Sequence, residues 1–333
     1  LHLSIRRQRQ MCIRDRFTMQ TQKDLCLAHP KGGIMNIDVL SFGRLAYRVF
    51  EEVGQDARVV LDDEGKNLVL RKIAGECEKD LKVFKGNLKK QGYISEVKSV
   101  LSEFAQYGVD FERLDDFMKE VPPESYLHYK LDDIRTIYEK FEEYLSEKYI
   151  TKEEMLDVLS DAVPYSDILK GSVVAMDGFT GFTPVQNRLI GELFSVCEKV
   201  MITVTMDGRE NPYVYEHPYQ IFALGKQMVT SLMKIAGEKK TEIEEPICLF
   251  ERPVYRFRDC SEMAFLETEL FRYSGAKYNG SCESVSLHEV RSPGKEAKYV
   301  AESIRRLVRT KGYRYRDIAV IASDMNVLSL IHI

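Results

Sequence analysis

The 333-residue sequence lacks several things, and each absence narrows the choice. It contains no run of about 20 apolar residues, so no membrane-spanning helix is expected. Its seven cysteines include no CxxC pair and have no histidine cluster beside them. A zinc or iron–sulfur site in this stretch is therefore not expected, and reduced thiols are the simple reading. It has little net charge (−4), which gives no bulk attraction to nucleic acid. Any such contact must come from local basic clusters. There is no HExxH and no Ser–His–Asp spacing. His29, His128, His217 and His288 are scattered. No GxxxxGK loop followed by Ser or Thr occurs. Lys31-Gly32-Gly33 has the wrong spacing to cradle phosphates and reads as a turn. The composition, 44% hydrophobic and 30% charged, is ordinary for a globular chain of about two domains.

Both ends look foreign to the rest. Leu1 to Arg16 is basic and has no apolar periodicity joining it to the residues after it. It also lacks the apolar core of a signal peptide. Met11-Cys12-Ile13-Arg14-Asp15-Arg16 and Leu328-Ser329-Leu330-Ile331-His332-Ile333 resemble translated sequencing adapters. Residues 1–16 and 328–333 are therefore set aside as non-native tails. The chain is expected to be an internal fragment whose sheet has lost its first strand, leaving an open edge.

Between the tails, residues 34–40 read as a short strand followed by a helix carrying Leu45, Ala46, Val49 and Phe50 on one face. From 56 to 162 the period is helical throughout, with Gly108 and Pro122-Pro123 as punctuation. This predicts an all-helical insertion. Sheet signals return at Val173-Val174-Ala175-Met176-Asp177. Thr183 and Pro184 then suit the N-cap and first turn of a helix that buries Leu189, Ile190, Leu193, Phe194 and Cys197. A second strand is expected over Val200–Thr205, ending near Asp207. Strand, helix and strand in about 35 residues make a parallel βαβ unit. Helices are expected over 218–237 and 260–273. A second βαβ unit is expected from a strand at Ser284–Val290, a helix at 295–309 and a strand at Asp317–Ala322.

Parallel sheets bind ligands beyond the C-terminal ends of their strands, where Asp177 falls. An aspartate there can hold magnesium against the β- and γ-phosphates of a nucleotide. It can equally cap the following turn. The next residue is Gly178, which offers no acceptor to activate water. Ser41-Phe42-Gly43-Arg44 sits at a strand-to-helix junction. There a hydroxyl and a helix start can hold phosphate, an aromatic can stack on a base, and arginine adds charge. The competing reading makes Phe42 core and Arg44 surface. Arg305, Arg306, Arg309, Lys311, Arg314 and Arg316, interleaved with Tyr313 and Tyr315, form the densest basic run between the tails. It suits either a nucleic-acid backbone or a solvated helix end.

Taken in order, these strings resemble the B subunit of AddAB-type helicase–nucleases, a family related to superfamily 1 helicases. Phe17-Thr18-Met19-Gln20-Thr21-Gln22 is similar to the segment after the family's first strand. Val39 to Val49 resembles its Thr-Phe-His motif, which contacts single-stranded DNA. Asp177-Gly178-Phe179 through Pro184 and Gln186 resembles the Asp-Glu motor motif. Leu287-His288-Glu289-Val290, Glu296-Ala297 and Gly312 to Val320 resemble the entry to the second motor domain. The departures from active helicases are Gly178 for the glutamate, Thr180 for a glutamine and Gly43 for the histidine.

The resemblance implies an α/β fold. Its core would be a superfamily 1 helicase-like parallel sheet of the P-loop NTPase type, formed by residues 17–55 and 163–282 (domain 1A). A helical, 1B-like insertion would span 56–162, and a second RecA-like domain would begin at 283–327. It implies degenerate nucleotide or magnesium contacts at Asp177 and Gln186, and DNA contacts at Ser41, Phe42 and Arg44. No catalytic residue and no metal ligand is assigned within the chain. It further implies a cytoplasmic heterodimer with an A subunit, acting on single-stranded DNA and double-stranded ends in recombinational repair. ATP with magnesium would be used. The 5'-3' exonuclease chemistry and a 4Fe-4S cluster would sit in a C-terminal nuclease domain outside the chain. The expected role is a non-motor module guiding single-stranded DNA. An ATP-hydrolysing subunit or a pure scaffold for the motor subunit are the alternatives.

Overall fold

The computed structural model describes residues 10–14, 18–54, 58–87, 90–146 and 148–323. The tail assigned to 328–333 lies outside them, as do Leu1–Arg9 and Asp15–Phe17. The chain divides into two compact units, Leu1–Cys248 and Leu249–Ile333.

In the first unit the chain begins with β1 (Gln10–Arg14), α1 (Thr18–Ala28), β2 (Ile37–Leu40) and α2 (Phe42–Val53). It then crosses β3 (Val59–Leu61) into α3 (Asp63–Cys77), α4 (Gln91–Tyr107), α5 (Phe111–Glu120) and α6 (Tyr126–Leu145). It returns through β4 (Tyr149–Thr151) to α7 (Glu154–Ala162), β5 (Val173–Asp177), α8 (Pro184–Val196), β6 (Lys199–Ile202) and α9 (Ala223–Lys239). The main sheet has the order β2-β1-β5-β6 with every neighbour parallel. β1 therefore occupies the slot that the sequence leaves empty. Met11 and Cys12 lie beside Asp38 and Val39 on one side and beside Val174 and Ala175 on the other. A parallel sheet buried on both faces needs that slot filled, because β2 and β5 otherwise turn unpaired backbone groups toward each other.

Local chemistry fixes the elements around this sheet. Ser41 caps α2, its Oγ accepting from the Arg44 backbone N–H at 3.4 Å. Gly54 ends the helix in the left-handed conformation (φ 68°), which glycine adopts without penalty. Thr183 and Gln186 close a capping box at the start of α8, with Pro184 in the first turn. The apolar stripes of α2, α7 and α8 meet β5 in one core. Leu45, Val49, Leu159, Val174, Met176, Leu189, Ile190 and Leu193 are completely buried there.

The insertion is not all-helical. β3 and β4 pair in parallel, Val59 beside Tyr149 and Leu61 beside Thr151. This two-stranded neck joins the crossing segments, and a three-residue strand is too short to leave a periodic signal in sequence. Above the neck, α3, α4 and α6 build a second core from Leu70, Ile73, Cys77, Ile94, Leu101, Ile137 and Leu145. Asp133 of α6 is 1% exposed and accepts from the backbone N–H groups of Lys82, Val83 and Phe84 at 2.7–2.8 Å. Its carboxylate thus pins the irregular stretch between α3 and α4.

The second unit holds α10 (Ser261–Glu269) and α11 (Pro293–Thr310). α11 matches the expected helix, capped by Ser292 with Pro293 in its first turn. The expected strands do not form. Ser284–Val290 is unpaired, and Tyr315–Asp317 is a short 3-10 turn followed by unpaired chain. Among the described residues this unit has no strand beside which they could hydrogen-bond. Leu287 (98%) and Ile321 (95%) are consequently exposed. Two further boundaries move: β6 stops at Ile202, and the helix expected from 218 starts at Ala223 because Phe222 has left helical geometry.

Candidate nucleic-acid and nucleotide site

β5 alternates in burial, Val174 and Met176 inward, and delivers Asp177 at its last position on the C-terminal rim of the sheet. Thr203, just past the end of β6, donates its hydroxyl to Asp177 Oδ1 at 2.7 Å. The Thr203 backbone N–H also donates to the Met176 carbonyl at 2.9 Å. The neighbouring strand end thereby fixes the carboxylate. One carboxylate with one hydroxyl beside it suits a cation that draws its other ligands from phosphates and water. It does not make a protein-only cage, and no group of three acidic, histidine or cysteine side chains is gathered for a metal among the described residues.

Gly178 follows with φ 83°, a left-handed conformation that disfavours any side chain bearing Cβ. The turn then inserts Phe179 into the core at 8% exposure. Gln186 does not reach outward through its carbonyl: Oε1 accepts from the Thr183 backbone N–H at 3.0 Å as half of the capping box. Asp207 lies beyond β6, and Arg209 clamps it through Nε and Nη2 contacts at 2.7–3.2 Å.

The β2–α2 junction arrives at the same place. The Phe42 ring lies 5.5 Å from Phe179, which lies 5.0 Å from Phe182. Two motifs far apart in sequence therefore share one aromatic tier beside Asp177. Phe42 and Phe182 are half-buried, so the tier has an accessible edge. On α2, Arg44 is exposed and Tyr47 is half-exposed. The sequence singled out Ser41, Phe42 and Arg44 but not Tyr47, Phe182 or Thr203. Only the Phe-x-x-Phe spacing after Asp177 hinted at the second ring. The Ser41 hydroxyl is engaged in the helix cap.

In the second unit, Arg305, Arg306 and Arg309 line the solvent side of α11, with exposed Lys311 and Arg316 following. Arg314 is drawn into a two-pronged pair with Asp317 at 2.8 and 2.9 Å. That pairing lowers the Asp317 carboxyl and raises the Arg314 guanidinium.

Comparison with known proteins decides the family. A sequence model described as "ADDB, N-terminal" matches residues 8–267. The chain belongs to the AddB family. It is 40% identical over 95% of its length to the B subunit of the ATP-dependent helicase/deoxyribonuclease of Lachnoclostridium phytofermentans. It is 35% identical to the protein of that name from a Thermoanaerobacter species and 32% identical to that of Alkaliphilus oremlandii. It covers 27–28% of the length of these AddB relatives. Among the described residues no helix is long and apolar enough to cross a membrane.

Proposed function

We propose that this AddB region is a non-motor, helicase-like module that binds and guides single-stranded DNA within a helicase–nuclease processing double-strand breaks for homologous recombination. The observation that carries the reading is the aromatic tier of Phe42, Phe179 and Phe182 at the sheet rim, with Arg44 and Tyr47 on the adjoining helix. Rings that present an edge or face beside a cation accept unstacked bases of any sequence, and the cation holds the backbone. Gly178 supports a module without hydrolysis of its own, since nothing there accepts a proton from water.

Under this reading the partner is the A subunit, which supplies the motor, and the work is cytoplasmic. The exonuclease and its 4Fe-4S cluster belong to the remaining length of the AddB relatives. Residues 283–327 open a second helicase-like domain, a role that the amphipathic α11 suits.

The test is binding of a fluorescent oligothymidine to the full chain, followed across salt concentration. Phe42→Ala should weaken binding by about tenfold, consistent with the loss of one stacked base. Arg44→Ala should weaken it less and flatten the salt slope by about one. Binding unchanged in both variants would instead favour a scaffold for the partner subunit. A second reading, nucleotide binding, rests on Asp177 standing at the rim with Thr203 bonded to it. ATP turnover by the full-length subunit, abolished in Asp177→Asn, would establish it.

A further inference from the structure

The neck joins the two cores of the first unit. Ile150 of β4 is buried in the sheet core, while its neighbour Tyr149 packs against the helical core. α6 ends and α7 begins on either side of β4, so polar groups from three helices meet there. Lys66 of α3, only 2% exposed, donates to Glu153 at 2.6 Å and to Ser102 of α4 at 3.2 Å. Glu154, the first residue of α7, is anchored differently. Its Oε2 accepts from the Thr151 backbone N–H at 2.8 Å, and its own N–H donates to the Thr151 hydroxyl at 3.2 Å. The Glu142 side chain comes from α6 and hydrogen-bonds the Glu154 side chain.

Two ionised carboxylates have no hydrogen to share, so this bond requires a proton on one of them. A cavity of about 10 Å³ adjoins it, room for about one water. Lys66, Lys98, Tyr138, Glu142, Thr151 and Glu153 are among its walls. The cations facing the pair are already engaged. Lys66 is held by Glu153, and Lys98 reaches Asp63 at 3.5 Å. Tyr138 feels the charges of Glu142, Glu154 and Asp110, and burial pushes its phenol up to about 12, so it stays protonated at neutral pH.

We propose that the neck is a proton-operated joint: Glu142 and Glu154 share one hydrogen across the crossover, and its loss in alkaline solution loosens the helical lobe from the sheet lobe. Burial first, then the charge and hydrogen bond of Glu154, raise the Glu142 carboxyl from 4.5 to about 7. A raised carboxyl means that the closed neck binds the proton more tightly than the open neck. The stabilisation is therefore complete below about pH 4.5 and is lost as pH rises through about 7. The joint bears on the sheet because α7 starts at it and buries Met155 and Leu159 in the core that holds Phe179.

Hydrogen exchange of backbone amides in β4 and the last turn of α6, measured on the full chain, tests the joint. After correction for intrinsic chemistry, opening should increase about tenfold or more between about pH 5.5 and 7.5. Glu142→Gln keeps a hydrogen-bond donor at all pH values and should abolish that increase. A flat wild-type profile, or an equal increase in Glu142→Gln, overturns the proposal. Carbon-13 NMR of glutamate carboxyls in the wild-type chain supplies a check that needs no variant. One glutamate should titrate near pH 7, and finding none above about pH 5.5 overturns the proposal as well.

Discussion

Two stretches of this chain carry nearly the same sequence pattern and come to different ends. Val173–Ile202 reads as strand, helix, strand, and so does Ser284–Ala322. The first becomes a βαβ unit, with β5 and β6 in register and the stripe of α8 fully buried. In the second only the helix forms, and Ala297 is its one buried residue. The difference is not local propensity, since both helices are capped by a hydroxyl with proline in the first turn. A helix closes its hydrogen bonds within itself, whereas a strand borrows them from a neighbour. β5 finds β1 and β6 as neighbours, and the later segments find none among the described residues.

Substitutions can widen or collapse that contrast. The largest effect is expected from Lys66→Ala, which strands Glu153 in a buried site and should cost about 3–5 kcal/mol in denaturant unfolding of the full chain. Leu189→Ala empties a completely buried position on α8 and should cost about 2–5 kcal/mol. Leu307→Ala on α11, where the leucine is only half-buried, should cost less than about 1 kcal/mol in the same assay. If Leu189 and Leu307 cost the same, the claim that the two units differ in packing fails. Ser41→Ala removes the α2 cap and should cost about 1 kcal/mol. The smallest effect belongs to Lys298→Ala, whose exposed partner Glu302 lies at 3.9 Å, with a loss below about 0.5 kcal/mol.

The same contrast shows what could be read from sequence. α2, α8 and α11 were legible because capping residues and a 3.6-residue apolar period are local signals. β5 was legible through its apolar run ending in Asp177. The neck was not, because β3 and β4 are three residues each and gain their identity only from pairing. β1 was missed because a basic, unperiodic terminus carries no mark of the slot it fills. Of the site, Asp177, Phe42 and Arg44 could be named, but their convergence could not. It depends on β1 setting β2 beside β5, one strand apart. Gln186 illustrates the opposite hazard, since a residue matched by motif spacing has its carbonyl committed to a helix cap.

Gly178 carries a consequence for anyone tempted to rebuild a motor in this chain. Supplying the absent carboxylate by a single exchange would force a Cβ onto a backbone turned to φ 83°. The turn would have to unwind before the new group could point at a water molecule, and Phe179, wedged in the core beside it, resists that rearrangement. Chemistry and conformation were surrendered at one position together, so regaining the first means remaking the loop and not one codon.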